Sequence, residues 1–406
     1  MIDQSLHSNV IIVGGGLTGC SLACLLAKNN IRCLVISKQP PVEEKNTGQD
    51  PRTLAITRGS ENILRATGAW QLLDPEKIGY FREMFVWEEN GDGDIHFDSA
   101  DLCEPSLGTI IEQSALEQAL QNQARQCENI DWIQSTPSSF ARDKTKITIK
   151  LEDNSQYSAS LLVGTDGANS TVRSLAKIAY PRHDYHQRAV ACIVKTEKPH
   201  LQTARQRFIN NGPLAFLPMA DPNQCGVVWS TSPHHAEELL SMETRDFNRV
   251  LAEAFENRLG NIKSLTSPVT FPLFHAQAET YCQQRLALAG DAAHTVHPLA
   301  GQGANLGLLD AATLAEIIIN TREKQHDIGN YIALRRYERW RKSENYLALK
   351  ILQGFKYLFE SRHDSLKVVR NIGLDLADAI HPFKHVIMRH AMGLSGDLPV
   401  FARQIN

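Results

Sequence analysis

Three glycine-bearing runs, far apart in the chain, hold the residues best suited to chemistry. The first is Gly14-Gly15-Gly16-Leu17-Thr18-Gly19, directly after the apolar stretch 10–13. Glycine at Gly14, Gly16 and Gly19 permits a tight turn, close approach of backbone to a pyrophosphate, and close packing of helix on strand. A helix opening there points unpaired N–H groups and its positive dipole end at phosphate. An ordinary glycine turn is the alternative, and the clear strand before and helix after weigh against it. The second run is Gly164-Thr165-Asp166-Gly167-Ala168-Asn169-Ser170, at the end of the apolar stretch 161–163. Asp-Gly alone is a common turn. Closing a buried strand, Asp166 and Gly167 point to strand ends that converge on one ligand. The third run extends from Leu286 to Gly307 and contains Gly290-Asp291, Pro298 and Gly301-Gln302-Gly303-Ala304-Asn305. Its Asp291 carboxylate can accept hydrogen bonds from sugar-alcohol hydroxyls. Gly301 and Gly303 let backbone N–H groups approach a flat ring, and the helix beyond aims its N-terminus there, favouring negative charge on that ring.

A dinucleotide site of this design expects an acidic residue at the end of the second strand, on the adenosine ribose. That position is Ser37, followed by Lys38. One hydroxyl or a water would hold the ribose more weakly than a carboxylate. The Ser-Lys pair would also suit a 2′-phosphate, and hence NADP bound directly in this fold.

These runs need elements to position them, and the hydrophobic pattern supplies them. The opening reads strand 10–13, turn 14–19, helix 20–28 and strand 32–37, a βαβ unit of ordinary length. Short strands follow over 80–97 with a turn at Asn90-Gly91-Asp92-Gly93. Next come a helix over 114–127 and strands at 132–133, 146–151 and 160–163. Between 189 and 271 the pattern is strand-rich (190–195, 205–208, 214–217, 226–230), with one helix over 244–258. A buried strand at 286–288 and an apolar helix over 305–320 return the chain, and basic amphipathic helices run on to the C-terminus. The expected fold class is α/β. A discontinuous Rossmann-like domain (1–78, 104–180 and 272–345) is interrupted by a mostly antiparallel sheet domain (79–103 and 181–271), with a C-terminal helical region over 346–406.

At 406 residues the chain has length for two domains sharing one extended core. A hydrophobic share of 42% and a charged share of 21% are those of a soluble globular protein. A net charge of −3 without a long basic run gives nucleic acid no footing. No signal-like N-terminal segment and no apolar stretch of bilayer length stand out, so a cytoplasmic location is expected, with peripheral contact at the inner face of the cell membrane left open. The eight cysteines form no CxxC pair and no Cys/His cluster of zinc-finger spacing, so no metal is expected. Cys20 and Cys24, one helical turn apart, read as small apolar residues on a buried helix face rather than a redox pair.

Gly290-Asp291-Ala292-Ala293-His294 with Pro298-Leu299-Ala300-Gly301-Gln302-Gly303 resembles the group A flavoprotein monooxygenases, the para-hydroxybenzoate hydroxylase fold. Asp166-Gly167 resembles that family's second fingerprint, which serves both FAD and NAD(P)H. The chain looks closest to the ubiquinone-biosynthesis hydroxylases, nearly end to end. The segments that carry this are Asp50-Pro51-Arg52-Thr53-Leu54-Ala55-Ile56, Leu107-Gly108-Thr109-Ile110-Ile111-Glu112, Gly212-Pro213-Leu214-Ala215-Phe216-Leu217-Pro218 and Ala391-Met392-Gly393-Leu394. Val86-Trp87, His96-Phe97-Asp98 and Asp327-Ile328-Gly329-Asn330-Tyr331 look most like the 2-polyprenylphenol hydroxylase branch, which attacks C5 of the ring.

The resemblance implies an FAD-dependent aromatic-ring monooxygenase. Flavin reduced by NAD(P)H or another external electron donor would bind O2 and pass oxygen to a polyprenylated phenol through a C4a-hydroperoxide. It places Gly14, Gly16 and Gly19 at the pyrophosphate, and Ser37 where the ribose carboxylate would be. Asp166 and Gly167 fall at the cofactor, and Gly290 and Asp291 at ribityl or phosphate. Gly301, Gln302, Gly303, Ala304 and Asn305 border the isoalloxazine, with Pro298 over its reactive face. Arg52 and Gln113 match positions that touch the cofactor. In such chemistry the protein mainly positions the ring, excludes water and stabilises charge, so no catalytic side chain is assigned.

His294 and His297 flank the third run. A near-neutral imidazole could deprotonate a phenol, and packing the turn is as good a reading, so neither is assigned. Arg207, Phe208, Phe216 and Pro218 fall on strands expected to roof the substrate pocket, where alternation makes each either roof or core. Arg335, Arg336, Arg339, Arg341 and Lys342 accompany an apolar stripe that could rest on anionic lipid, on a partner in a biosynthetic complex, or on its own domain. Rival activities are a hydroxylase of a small soluble aromatic, a flavin dehydrogenase, and a flavoprotein-like scaffold without catalysis.

Overall fold

A computed structural model describes residues 7–39, 49–89, 94–296, 302–360, 388–389 and 392–403. The first strand, His7–Val13, carries Val10, Ile11 and Ile12 without solvent exposure, as a strand covered on both faces requires. It pairs in parallel with Cys33–Ser37 on one side and Gln156–Gly164 on the other. Ile130–Gln134 and Leu286–Leu288 extend this parallel core, and the hairpin of Pro137–Arg142 and Ile147–Leu151 adds antiparallel strands. Register decides what this sheet does. Val13 lies opposite Gly164, and Gly164 opposite Leu288, so the three glycine runs leave the sheet side by side. Ligands of open α/β sheets bind outside such strand ends.

Helix Leu17–Ala27 is buried along its length from Gly19 to Ala27, packed between the sheet and helices Gln113–Arg125 and Gln302–Glu323. Its apolar residues therefore need no single face. The second sheet has nine strands, centred on the 15-residue Arg182–Thr196, and is antiparallel except where Thr203–Ile209 runs parallel to Glu83–Glu88. Helices Pro233–Ser241 and Thr244–Ala254 cover its outer face over Phe216, Trp229, Phe247 and Phe255. Its inner face turns toward the first sheet. A three-stranded sheet of Thr53–Thr57, Gly108–Glu112 and Gly79–Phe81 lies between them.

One expectation shifts and two helices are added. Helix 244–258 stops at Ala254, because Glu256 and Asn257 take left-handed φ of 57° and 51°. Helix Arg58–Thr67, capped by Thr57, and helix Pro233–Ser241, capped by Ser232 with proline in its first turn, are additions to the sequence reading. The turn at 90–93 lies outside the described residues, and its flanking strands Glu83–Glu88 and Asp94–Asp98 pair antiparallel. Among the described residues no helix is long and apolar enough to cross a membrane.

Candidate functional site

A cavity of about 500 Å³ separates the strand ends of the first sheet from the inner face of the second. Gly16, Arg52, Gln113, Gly167, Asp291, Gly303 and Ala304 line it on the first-sheet side, together with Leu17, Thr18 and Thr295. Helices Leu17–Ala27 and Gln302–Glu323 both present their first turns here. The first has no side-chain cap and no acidic residue in its opening turn, so its N–H groups stay available to a ligand.

The remaining sequence-derived positions shape this wall from behind. Gly14 has φ of +116°, and a Cβ there would sit 2.4 Å from the Thr165 carbonyl oxygen. A Cβ on Gly19 would come within 1.9 Å of the Gly14 oxygen. Gly290 (φ +60°) and Gly307 both lie against Thr18, each with room for no side chain. Asp166 spends its carboxylate on helix Thr171–Leu175, accepting from the Thr171 and Val172 N–H groups at 2.6 and 3.1 Å and from the Ser170 hydroxyl. Ser37 ends its strand beside Gly15, away from the cavity lining. Gln302 opens the long helix. Asn305 turns back onto the Thr53–Thr57 strand, accepting from the Thr57 N–H at 3.0 Å and donating to the Ala55 oxygen at 2.8 Å. Pro298, Gly301 and His297 lie outside the described residues.

Side-chain electrostatics on this wall are set by neighbours. Asp291 opens onto the cavity yet is ringed by protein. Desolvation raises its carboxyl above the ordinary range, His294 opposes this, and Asp310 adds to it. Arg52 is held at the rim by Asp50 at 3.2 Å, and Gln113 by Glu117 at 2.9 Å. Desolvation raises the Asp50 carboxyl, and hydrogen bonds from Arg52 and Ser114 bring it below its usual value.

Beneath Asp291 lies a group that sequence reasoning missed. Asp310 is fully buried and accepts from the Gly290 N–H at 3.0 Å, His294 Nε2 at 2.6 Å, Arg341 Nε at 2.7 Å and Asn345 Nδ2 at 3.2 Å. His294 is thus bound within the fold and does not line the cavity. Arg173 donates to the Ala292 oxygen at 2.8 Å and the Ala168 oxygen at 2.7 Å, which ties the second glycine run to the third. An acid flanked on both sides by apolar residues, Leu308-Leu309 and Ala311-Ala312, was the available signal for Asp310.

The opposite wall is mostly apolar, with Ala191, Ala204, Ala215, Leu217 and Val228 facing inward, joined by Gln206 and Ser230. The four residues weighed as roof are not among them. Arg207 pairs with Glu256 on the helix side, Phe216 stacks on Phe255 there, and Phe208 and Pro218 pack in buried contacts. For Arg207, Phe216 and Pro218 the roof uses their strand neighbours, one residue out of phase, whereas Phe208, outside the lining, shares the face of Ala204 and Gln206 and packs with Val86 and Met84.

The chain matches the FAD binding domain family over residues 7–340. It is 33% identical to the 3-demethoxyubiquinol 3-hydroxylase of Escherichia coli strain K12 over 95% of this chain and 99% of that one. It is 31% identical to the human mitochondrial ubiquinone biosynthesis monooxygenase COQ6, over 94% and 92% of the two chains. Among solved structures, p-nitrophenol 4-monooxygenase PnpA from Pseudomonas putida DLL-E4 superposes with a TM-score of 0.77 at 19% identity, covering 96% of this chain and 98% of that one. Hydroxylases of this class use FAD with NAD(P)H and O2. The chain therefore belongs to the FAD-binding-domain family, as an FAD-dependent monooxygenase of the para-hydroxybenzoate hydroxylase fold related to the ubiquinone-biosynthesis hydroxylases.

Proposed function

We propose that the cavity holds the isoalloxazine end of FAD and that the enzyme hydroxylates a polyprenylated phenol in ubiquinone biosynthesis. The observation that carries this reading is the meeting of three strand-end motifs with a mostly apolar sheet face across one cavity. The wall fits the cofactor. A Cβ on Gly16 or Gly167 would meet nothing within 4 Å, and one on Gly303 only Val296 at 3.8 Å, so these glycines leave room that any side chain would fill.

Bound FAD supplies electron transfer from NAD(P)H and oxygen activation for insertion into an electron-rich ring. The chain's own residues bind and orient. The first turn of Leu17–Ala27 offers N–H groups to the pyrophosphate, and that of Gln302–Glu323 offers them to negative charge on the flavin ring. Asp291 accepts from ribityl hydroxyls, while Arg52 and Gln113 hold the flank. Gly14, Gly19 and Gly290 allow the close approach of the elements, and Asp166 fixes the turn that presents Gly167. Asn305 pins the long helix to the neighbouring strand. Pro298, Gly301, Gln302 and Ala304 complete the ring border in this reading, and Ser37 takes the adenosine ribose through its hydroxyl. The inward-facing aliphatic residues of the roof exclude water from the reacting ring.

The segments that resemble the 2-polyprenylphenol branch support attack at C5 within this reading. Peripheral contact with anionic lipid is supported by helix Tyr331–Glu360, which exposes Arg335, Arg336 and Arg339 beside Ile332 and Tyr346. The test is the purified enzyme with FAD, NADH, O2 and a prenylated phenol, with product mass and ring position read by mass spectrometry and NMR. A product heavier by one oxygen with matching O2 uptake supports the reading. Flavin reoxidation without any oxygenated phenol would refute it.

A further inference from the structure

The register of the roof gives its inner face a direction. Inward residues fall into rows across the strands. The row through Ala204 runs from Met84 toward Leu217 and Gly226. The next joins Gln206, Ala215, Val228 and Ala191, and the third carries Ser230 between Ala189 and Pro213. Gln206 in the second row and Ser230 in the third are the polar side chains that these rows bring to the cavity. Ser230 is only 4% exposed, it and Gln206 both line the cavity, and neither side chain has a hydrogen-bond partner among the described residues. Both side chains therefore meet the cavity with hydrogen-bonding capacity left for what it receives.

The other end is built differently. Phe81 and Met84 line the cavity there and also pack in an apolar cluster with Leu107, Met388 and Met392. Phe81 further contacts a cluster containing Ile110 and Met219. Four of the chain's six methionines, Met84, Met219, Met388 and Met392, thus gather around this one end. Unbranched, polarizable thioethers re-pack around irregular apolar guests more readily than branched side chains do.

We propose that the roof fixes the direction in which a tailed phenol lies, with Gln206 and Ser230 hydrogen-bonding oxygens on the ring and the isoprenoid tail leaving past Phe81 and Met84. This rests on the functional reading above and adds orientation to it. The strand spacing and rise put the Gln206 and Ser230 Cα atoms roughly 12 Å apart, a span that a substituted ring fills once the glutamine side chain reaches inward. The reverse orientation would lay a hydrocarbon tail against Ser230 and leave its hydroxyl unpaired.

The experiment compares kcat/KM of the FAD-loaded enzyme for a phenol bearing a three-isoprene chain and for the same phenol with a methyl group in its place. Gln206→Leu and Ser230→Ala should each lower kcat/KM about tenfold for both substrates, the loss expected from one hydrogen bond to the ring, and leave their ratio within about twofold. Met84→Glu should lower the tailed-to-tailless ratio about tenfold or more, and Met84→Leu should hold it near the wild-type value. Met84→Trp, which narrows the exit without a charge, should lower the ratio too, and it serves if the glutamate variant misfolds. A wild-type enzyme active on both phenols with a ratio that no Met84 variant moves, or with ring recognition untouched by Gln206→Leu and Ser230→Ala, overturns this orientation alone. A wild-type enzyme that oxygenates neither phenol overturns the functional reading and the orientation with it.

Discussion

Asp310→Ala removes the acceptor that four buried donors share, and its cost follows from the geometry. Burial alone would raise the Asp310 carboxyl, and His294 and Arg341 more than offset this, holding it at about 2. Deleting one partner of a buried ion pair costs about 3–5 kcal/mol, because the other charge is left without compensation. The orphaned Gly290 N–H and Asn345 amide add to this, partly recovered by relaxation, so about 4 kcal/mol is expected. Unfolding entropy near 2.1 cal/mol/K per residue gives about 0.85 kcal/mol/K for a chain of 406 residues, so Tm should fall by about 5 °C. Scanning calorimetry of wild type and variant reads this directly. The carboxyl's folded value is depressed from 3.8, so its contribution is present above about pH 4 and is lost as pH falls through about 2. The difference between wild type and variant should therefore persist from pH 5 to 8 and shrink in acid. A double variant, Asp310→Leu with Arg341→Met, removes both charges at similar volume and should recover most of the loss. A Tm for Asp310→Ala within about 1 °C of wild type, or a double variant less stable than the single, would refute the reasoning.

Gly16→Val should abolish FAD retention while changing the apoprotein Tm by under about 2 °C, since Gly16 has an ordinary φ of −85° and open space beyond it. Gly19→Ala should lose both flavin and stability, because its Cβ meets the Gly14 oxygen at 1.9 Å; absorbance at the flavin band and thermal melts separate the two cases. Asp291 has a raised folded value, so its charge opposes folding once pH exceeds 3.8 and does so fully above the folded value. Asp291→Asn apoprotein should accordingly be at least as stable as wild type at pH 7 while binding FAD more weakly. Cys127 is held below the ordinary thiol range, by Cys24 first and by the Gln123 amide after it; Cys24→Ala should therefore move its alkylation midpoint up, as peptide mapping of the modified thiol would report.

Local signals carried most of the first wall. A glycine run beside a short apolar strand is visible without knowing the partner strands, which is why Gly14 to Gly19, Asp166-Gly167 and Gly290-Asp291 could be placed on one sheet edge. The roof was legible as strands but not in phase. Arg207 alternates with its neighbours as a pocket residue would, yet it turns to the helix side, where Glu256 at 3.0 Å and the Ala254 oxygen at 2.6 Å receive it. Such compensation comes from residues some fifty positions away and leaves no mark on the strand's own pattern. The Asp310 group was hidden for the same reason, as Arg341 and Asn345 sit on the following helix. The small sheet of Thr53–Thr57, Gly108–Glu112 and Gly79–Phe81 joins strands of 3–5 residues without a hairpin turn between them, so no period of useful length reaches the reader.

The parallel pairing of Glu83–Glu88 with Thr203–Ile209 also governs how the chain is made. The earlier strand leaves the ribosome 115 residues ahead of its neighbour, which at roughly 5–20 residues per second is a wait of about 6–23 s. Leu286–Leu288 completes the first sheet later still, beside strand Gln156–Gly164. Each sheet therefore carries an unpaired edge through much of synthesis, and closing such distant contacts slows folding. Neither half of the chain holds either of the two large sheets complete, so inactivity of separately expressed halves is built into the order in which the strands are written.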